Sequence, residues 1–169
     1  MPRAERERRY ISEYTLEHFP GGNFQLNVPL GPIPREIVEL QGLARGAAFY
    51  RSARRRVDAT AWSKTAFYLI ETKIRDPLEG LGRLQTYRDL AKVTPDLLGF
   101  TGQPIVARLV VPFSLAWIRE AATAATIDLI VWKPAWIDDY VRERQLYFTA
   151  EYRRAREEKK HLRQLFDLE

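Results

Sequence analysis

Phe24, Leu26, Val28 and Leu30 alternate with mostly polar residues, the period of a strand with one covered face. Residues 56–62 and 66–73 are rich in β-branched and aromatic side chains, with the polar turn Ser63-Lys64-Thr65 between them. They predict the two strands of an antiparallel hairpin. Residues 105–111 are nearly all apolar, the pattern of a strand covered on both faces. Residues 127–132 read as another buried strand, ended by Pro134. Helical patterns fill the rest. Residues 3–18 alternate Arg with Glu, add Tyr10, Ile11, Tyr14 and Leu16, and stop at Pro20-Gly21-Gly22. Residues 78–92 open on Asp76-Pro77 and predict a core-facing stripe of Leu78, Leu81, Leu84 and Leu90. Residues 114–123 read as a helix, and 136–166 as one or two long charged helices. Pro29, Pro32 and Pro34 break regular structure after the first strand, and residues 36–43 fit either a short helix or a strand.

The order α, β, β, β, α, β, α, β, α predicts an α/β fold, a mixed sheet flanked by helices. At 169 residues it is expected to form one domain. Its core spans about 24–132, preceded by the helix 3–18 and followed by a long helical extension over 136–166.

Composition narrows the function. The chain has no cysteine, which removes zinc-finger and thiol chemistry. No apolar run approaches the ~18 residues of a membrane span. The charged first residues do not resemble a secretory signal. A soluble, cytoplasmic protein with no membrane partner is the expectation. The net charge of +5 suits a polyanionic partner. The excess is local: Arg45, Arg51, Arg54, Arg55 and Arg56 form a stretch without an acidic residue, leading into the hairpin. Arg54, Arg55 and Arg56 are candidate contacts to a nucleic-acid backbone. His18 and His161 lack ligand spacing and read as structural or surface residues.

The hairpin carries the chemistry. Asp58 lies on its first strand, and Glu71 and Lys73 end the second. Charge within apolar strands is costly unless it is paired or holds a metal. With the turn centred between Lys64 and Thr65, Asp58 pairs with Glu71, their β-carbons about 5 Å apart. Lys73 then points to the same face as Glu71. A one-residue slip would send Asp58 to the other face. Two adjacent carboxylates repel, and a divalent cation between them removes that penalty. Oxygen ligands of this kind suit Mg²⁺ or Mn²⁺.

Asp58 on one strand with Glu71-Thr72-Lys73 on the next resembles the PD-(D/E)XK nuclease superfamily. Val57 stands where a proline often precedes the Asp. The resemblance covers about residues 55–132. It implies a restriction-endonuclease-like core and metal-dependent hydrolysis of DNA; a phage-encoded member would act in the host cytoplasm or the virion. Asp58, Glu71 and the Thr72 carbonyl would hold Mg²⁺ or Mn²⁺, and Lys73 would act on the attacking water or the phosphate. In some branches a Gln and a Tyr four residues apart on the following helix support the site. Here Gln85 and Tyr87 are two apart and cannot share a helix face. Gln85 is kept as a candidate site residue and Tyr87 as packing. A glutamate from the first helix reaches the metal in some members, and Glu13 and Glu17 are the candidates for it.

A second class of function remains open. A non-catalytic assembly protein that retains a nuclease-like fold, such as a phage head-completion or neck component, fits the size and the Arg-rich C-terminal helix. That helix, with Trp136, Tyr140 and Tyr147, would then supply the contacts to homo-oligomer or particle partners.

Overall fold

The computed structural model describes residues 3–100 and 102–146, together with Arg154, Glu157, Glu158 and His161. Two compact units divide the chain, Met1–Trp132 and Lys133–Glu169. The first contains α1 (Arg3–His18), β1 (Phe24–Leu30), α2 (Arg35–Phe49), β2 (Arg55–Trp62), β3 (Phe67–Thr72), α3 (Pro77–Lys92), β4 (Ile105–Val111), α4 (Ala116–Ala124) and β5 (Asp128–Val131). The second contains α5 (Trp136–Leu146). This is an α/β fold with a five-stranded mixed sheet flanked by helices, as the element order predicts. No described helix is long and apolar enough to cross a membrane.

The strands lie in the order β1-β2-β3-β4-β5. β1, β2 and β3 form an antiparallel meander, and β3, β4 and β5 run parallel. Parallel neighbours need a crossover, which α3 and α4 provide. Both helices cover the sheet face that presents Phe67, Leu69, Ala107, Leu109 and Val111, and Leu81, Leu84, Tyr87 and Ile118 complete that core. Alternate residues point to the other face, where α1 packs. There Tyr14 of α1 accepts a hydrogen bond from Arg108, whose guanidinium lies 4.5 Å from the centre of the Tyr68 ring.

Two expectations change, one open choice is decided, and one expectation falls mostly outside the described residues. Residues 36–43 belong to a helix, α2, kinked at Gly42, whose φ of 73° a side chain rarely adopts. β5 is half-exposed rather than buried, because it is the last strand and only β4 pairs with it. The buried stripe of α3 is Gly80, Leu81, Leu84, Tyr87 and Ala91, whereas Leu78 is exposed. The helix is therefore rotated relative to a leucine-only stripe, and a tyrosine and small residues complete its packing face. Finally, the described part of the last helix ends at Leu146. Most of 147–166 lies outside the described residues; Arg154, Glu157, Glu158 and His161 are helical and exposed.

Candidate active site

The hairpin register is the predicted one. Ala59 pairs with Ile70, Thr60 with Leu69, Ala61 with Tyr68 and Trp62 with Phe67. Regular pairing ends at Ala59–Ile70, one step short of Asp58 and Glu71. The turn is held by Ser63, whose Oγ accepts from the Thr65 and Ala66 amides at 3.2 and 3.1 Å. That side-chain clamp explains how Lys64-Thr65, a poor turn pair on backbone grounds, closes the loop. At Asp58 the ladder is interrupted. Asn27, which faces Asp58 from β1, has a φ of 56°, and regular pairing resumes at Val28–Val57. On the other side the Asp58 carboxylate takes the place of a backbone acceptor: Oδ2 accepts from the Thr72 amide at 2.8 Å and the Thr72 hydroxyl at 2.9 Å. Burial raises the Asp58 pKa, the two Thr72 hydrogen bonds and Lys73 oppose that rise, and Glu7 adds to it.

Glu71 is fully buried. Its Oε1 lies 3.3 Å from Lys73 Nζ and 3.2 Å from Arg83 Nη1, and its Oε2 is buried without a hydrogen-bond partner. Burial first, then the Asp58 charge, pushes its pKa from 4.5 up to about 7, against the pull of Lys73 and Arg83. Lys73 also meets Glu79 Oε2 at 3.3 Å, and Arg83 closes the ring through Glu79 Oε1. Burial opposes ionisation of Glu79, but Lys73 and Arg83 together hold its pKa below the ordinary value. Burial, and after it the Glu71 charge, raises the pKa of the Tyr87 hydroxyl.

α3 brings its residues here through its start and its closest approach. Asp76 caps it by accepting from the Glu79 amide at 3.1 Å, with Pro77 in the first turn. Gly80 then lies against the sheet: a β-carbon there would sit 2.6 Å from Leu109 Cδ1 and 2.9 Å from Lys73 Cγ. Gly80→Ala is therefore expected to overpack the core, an effect of about 1–3 kcal/mol. Better helix propensity offsets about 1 kcal/mol of it. The same change should displace the Lys73 stem. Gly82→Ala, where nothing lies within 4 Å, is expected to stabilise by up to about 1 kcal/mol. Urea denaturation of both variants checks the contrast; equal effects would remove Gly80 as a spacer for Lys73.

Of the residues singled out in the sequence, Asp58, Glu71, Thr72 and Lys73 come together. Gln85 is exposed on α3. Arg83 of the same helix lies four residues before Tyr87 and on the same helix face, with both near Glu71. Arg54 differs from its neighbours in burial. Its buried guanidinium donates to Asp96 Oδ2 at 2.7 Å, so it braces the chain from within. Arg55 is exposed and Arg56 partly so, and both line a groove of about 610 Å³ together with Arg54, Glu79, Arg83, Thr86 and Tyr87. From α1, Glu13 is engaged by Arg9 and Glu17 by the Trp132 indole, while Glu7 is the glutamate whose charge reaches Asp58. The signal for Glu7 was in the sequence: it precedes the buried Tyr10, Ile11 and Tyr14 by three, four and seven positions.

Among the described residues, no three His, Asp or Glu side chains converge as a metal shell. Asp58 and Glu71 nevertheless fit a hard divalent cation. Both carboxylates have raised pKa values, and a buried Glu71 oxygen lacks a partner. The Thr72 amide points at Asp58, and in extended backbone the carbonyl of the same residue points to the same side. Comparison with protein-family models, curated proteins and solved structures gives no match.

Proposed function

We propose that the protein is a metal-dependent nuclease with a PD-(D/E)XK-type centre on a restriction-endonuclease-like core, hydrolysing phosphodiester bonds of DNA. The observation that carries this reading is the pair Asp58 and Glu71, both with raised pKa values, beside the buried Lys73 amine. Asp58, Glu71 and the Thr72 carbonyl would hold Mg²⁺ or Mn²⁺. When bound, the cation supplies positive charge at the attacked phosphate and acidifies water. Lys73 donates a hydrogen bond to the attacking water or to the phosphoryl oxygen that gains charge, leaving Glu79 to hold it when substrate is absent. Arg55 and Arg56 grip the phosphates along the groove, which positions the strand without reading its sequence.

One observation favours the second reading. Glu71, Lys73, Glu79 and Arg83 form a closed ring of opposite charges, which a structural protein would use to tie α3 to the sheet. Incubating plasmid and linear DNA with the protein and Mg²⁺ or Mn²⁺, beside an Asp58→Ala control, separates the two. Metal-dependent cleavage lost in the control supports the nuclease. Cleavage that persists in the control, or no cleavage with either metal, favours the structural reading.

The arginines give a further expected result. Arg55→Ala and Arg56→Ala should each weaken DNA binding uniformly across sequences and reduce the salt-dependence slope by about one. Arg54→Ala should instead lower stability, since it leaves Asp96 without its partner. Binding isotherms at several salt concentrations and thermal melts check both. An unchanged slope for Arg55 and Arg56 would assign the groove to a protein partner.

A further inference from the structure

We propose that Arg83 is a built-in counter-cation of the metal site, a positioning residue that holds Glu71 until the metal arrives and then turns to the substrate phosphate. This rests on the metal-site reading above and adds a coupling that the reading does not require.

Glu71 meets two cations of different kinds. Lys73 is buried and lies directly after the same strand, with its stem packed under Gly80. Arg83 comes from α3 and its side chain is 44% exposed, so it can move without opening the core. Its guanidinium spans two carboxylates, Nη1 at 3.2 Å from Glu71 Oε1 and Nη2 on Glu79 Oε1. It also lines the groove that carries Arg55 and Arg56. With a cation bound, Glu71 would lose the charge that holds Nη1, and the guanidinium would be repelled. Glu79, four residues earlier on the same helix, keeps the side chain near the groove mouth. There the planar fork suits a phosphate, which it binds through two parallel hydrogen bonds. Metal and nucleic acid should therefore help each other: the metal frees Arg83 for phosphate, and phosphate holds Arg83 away from Glu71. Linkage makes that coupling reciprocal.

Mn²⁺ binding, measured by calorimetry on the full chain with and without a short duplex carrying phosphorothioate linkages to suppress cleavage, tests this. Arg83→Gln is expected to bind Mn²⁺ about tenfold more tightly than the parent when DNA is absent. DNA should raise Mn²⁺ affinity in the parent and leave it nearly unchanged in Arg83→Gln. Arg83→Lys, which keeps the charge, should remain near the parent in metal affinity. Arg55→Gln, in the groove but not on Glu71, should leave metal affinity without DNA unchanged. Thermal melts confirm that each variant is folded. Equal Mn²⁺ affinity in the parent and Arg83→Gln overturns the inference and leaves the metal site standing. A gain in Arg55→Gln as large as in Arg83→Gln also overturns it, since general electrostatics would then suffice. Absence of Mn²⁺ binding in every form overturns both.

Discussion

Lys73→Ala is expected to abolish DNA cleavage while metal binding survives. Lys73 Nζ lies 3.3 Å from Glu71 Oε1, so its charge competes with a cation for that carboxylate, and removing it should keep or raise metal affinity. Lys73 donors aimed at the reacting water or phosphate are what the variant loses. Removing one preorganised donor of this kind costs about 10²–10³ in rate. The apo variant should melt lower than the parent, because Glu71 keeps only Arg83 as a neighbouring cation. Saturating Mn²⁺ should recover part of that loss, about 2.7 kcal/mol at a hundredfold excess over Kd. Single-turnover cleavage and melts with and without Mn²⁺ check each part. If the variant melts far below the parent and metal shifts neither protein, Lys73 holds the fold together and the structural reading takes over.

The second large effect is a pH dependence of the metal-free protein, set by Glu71. Its pKa is raised from 4.5 in the unfolded chain to about 7 in the fold. Between those values the folded state binds the extra proton, so stability falls as pH rises. The contribution is fully present below pH 4.5 and is lost as pH passes through about 7. A shift of that size corresponds to roughly 3 kcal/mol. Asp58 shifts in the same direction and adds to the trend. Glu71→Gln should flatten the profile and make the apo protein at least as stable as the parent at pH 8, with Lys73 still held by Glu79. Mn²⁺ should stabilise the parent most at that pH, where both carboxylates are ionised, and should lose its effect in Glu71→Gln. Urea midpoints across pH, with and without Mn²⁺, provide the measurement. A Glu71→Gln variant less stable by about 3–5 kcal/mol at every pH would identify a structural ion pair instead.

These expectations depend on one feature of the hairpin: Asp58 sits where regular pairing stops. Strand β2 gives its side-chain carboxylate to the Thr72 amide instead of a backbone carbonyl. That contact fixes the carboxylate next to Thr72 and keeps the amide satisfied, so the break in the ladder does not strand a buried polar group. A charge placed one residue earlier or later on β2 would face regular pairs such as Ala59–Ile70 and would lack such a donor. The interruption is therefore part of how the fold tolerates two carboxylates within reach of each other's charge.

The strands, their register and the cluster of Asp58, Glu71 and Lys73 were legible from residues alone. Strand period, β-branched content and a polar turn are properties of neighbours in the chain, and a hairpin with a fixed turn leaves one register. The same holds for α3, whose cap Asp76-Pro77 is local. What the sequence could not decide is which face of each helix turns inward. Leu78 looked like core and is exposed, while Gly80 and Tyr87 are buried, because α3 is rotated to let Gly80 meet Leu109 and Lys73. That rotation brings Arg83 rather than Gln85 to Glu71, and an equivalent setting of α1 brings Glu7 rather than Glu13 or Glu17 toward Asp58. Arg54 and Arg55 are adjacent in the chain, yet the side chain of the first is buried on Asp96 and the second is exposed. Helix rotation and burial are fixed by contacts between residues far apart in sequence, and those contacts exist only once the sheet and helices have packed.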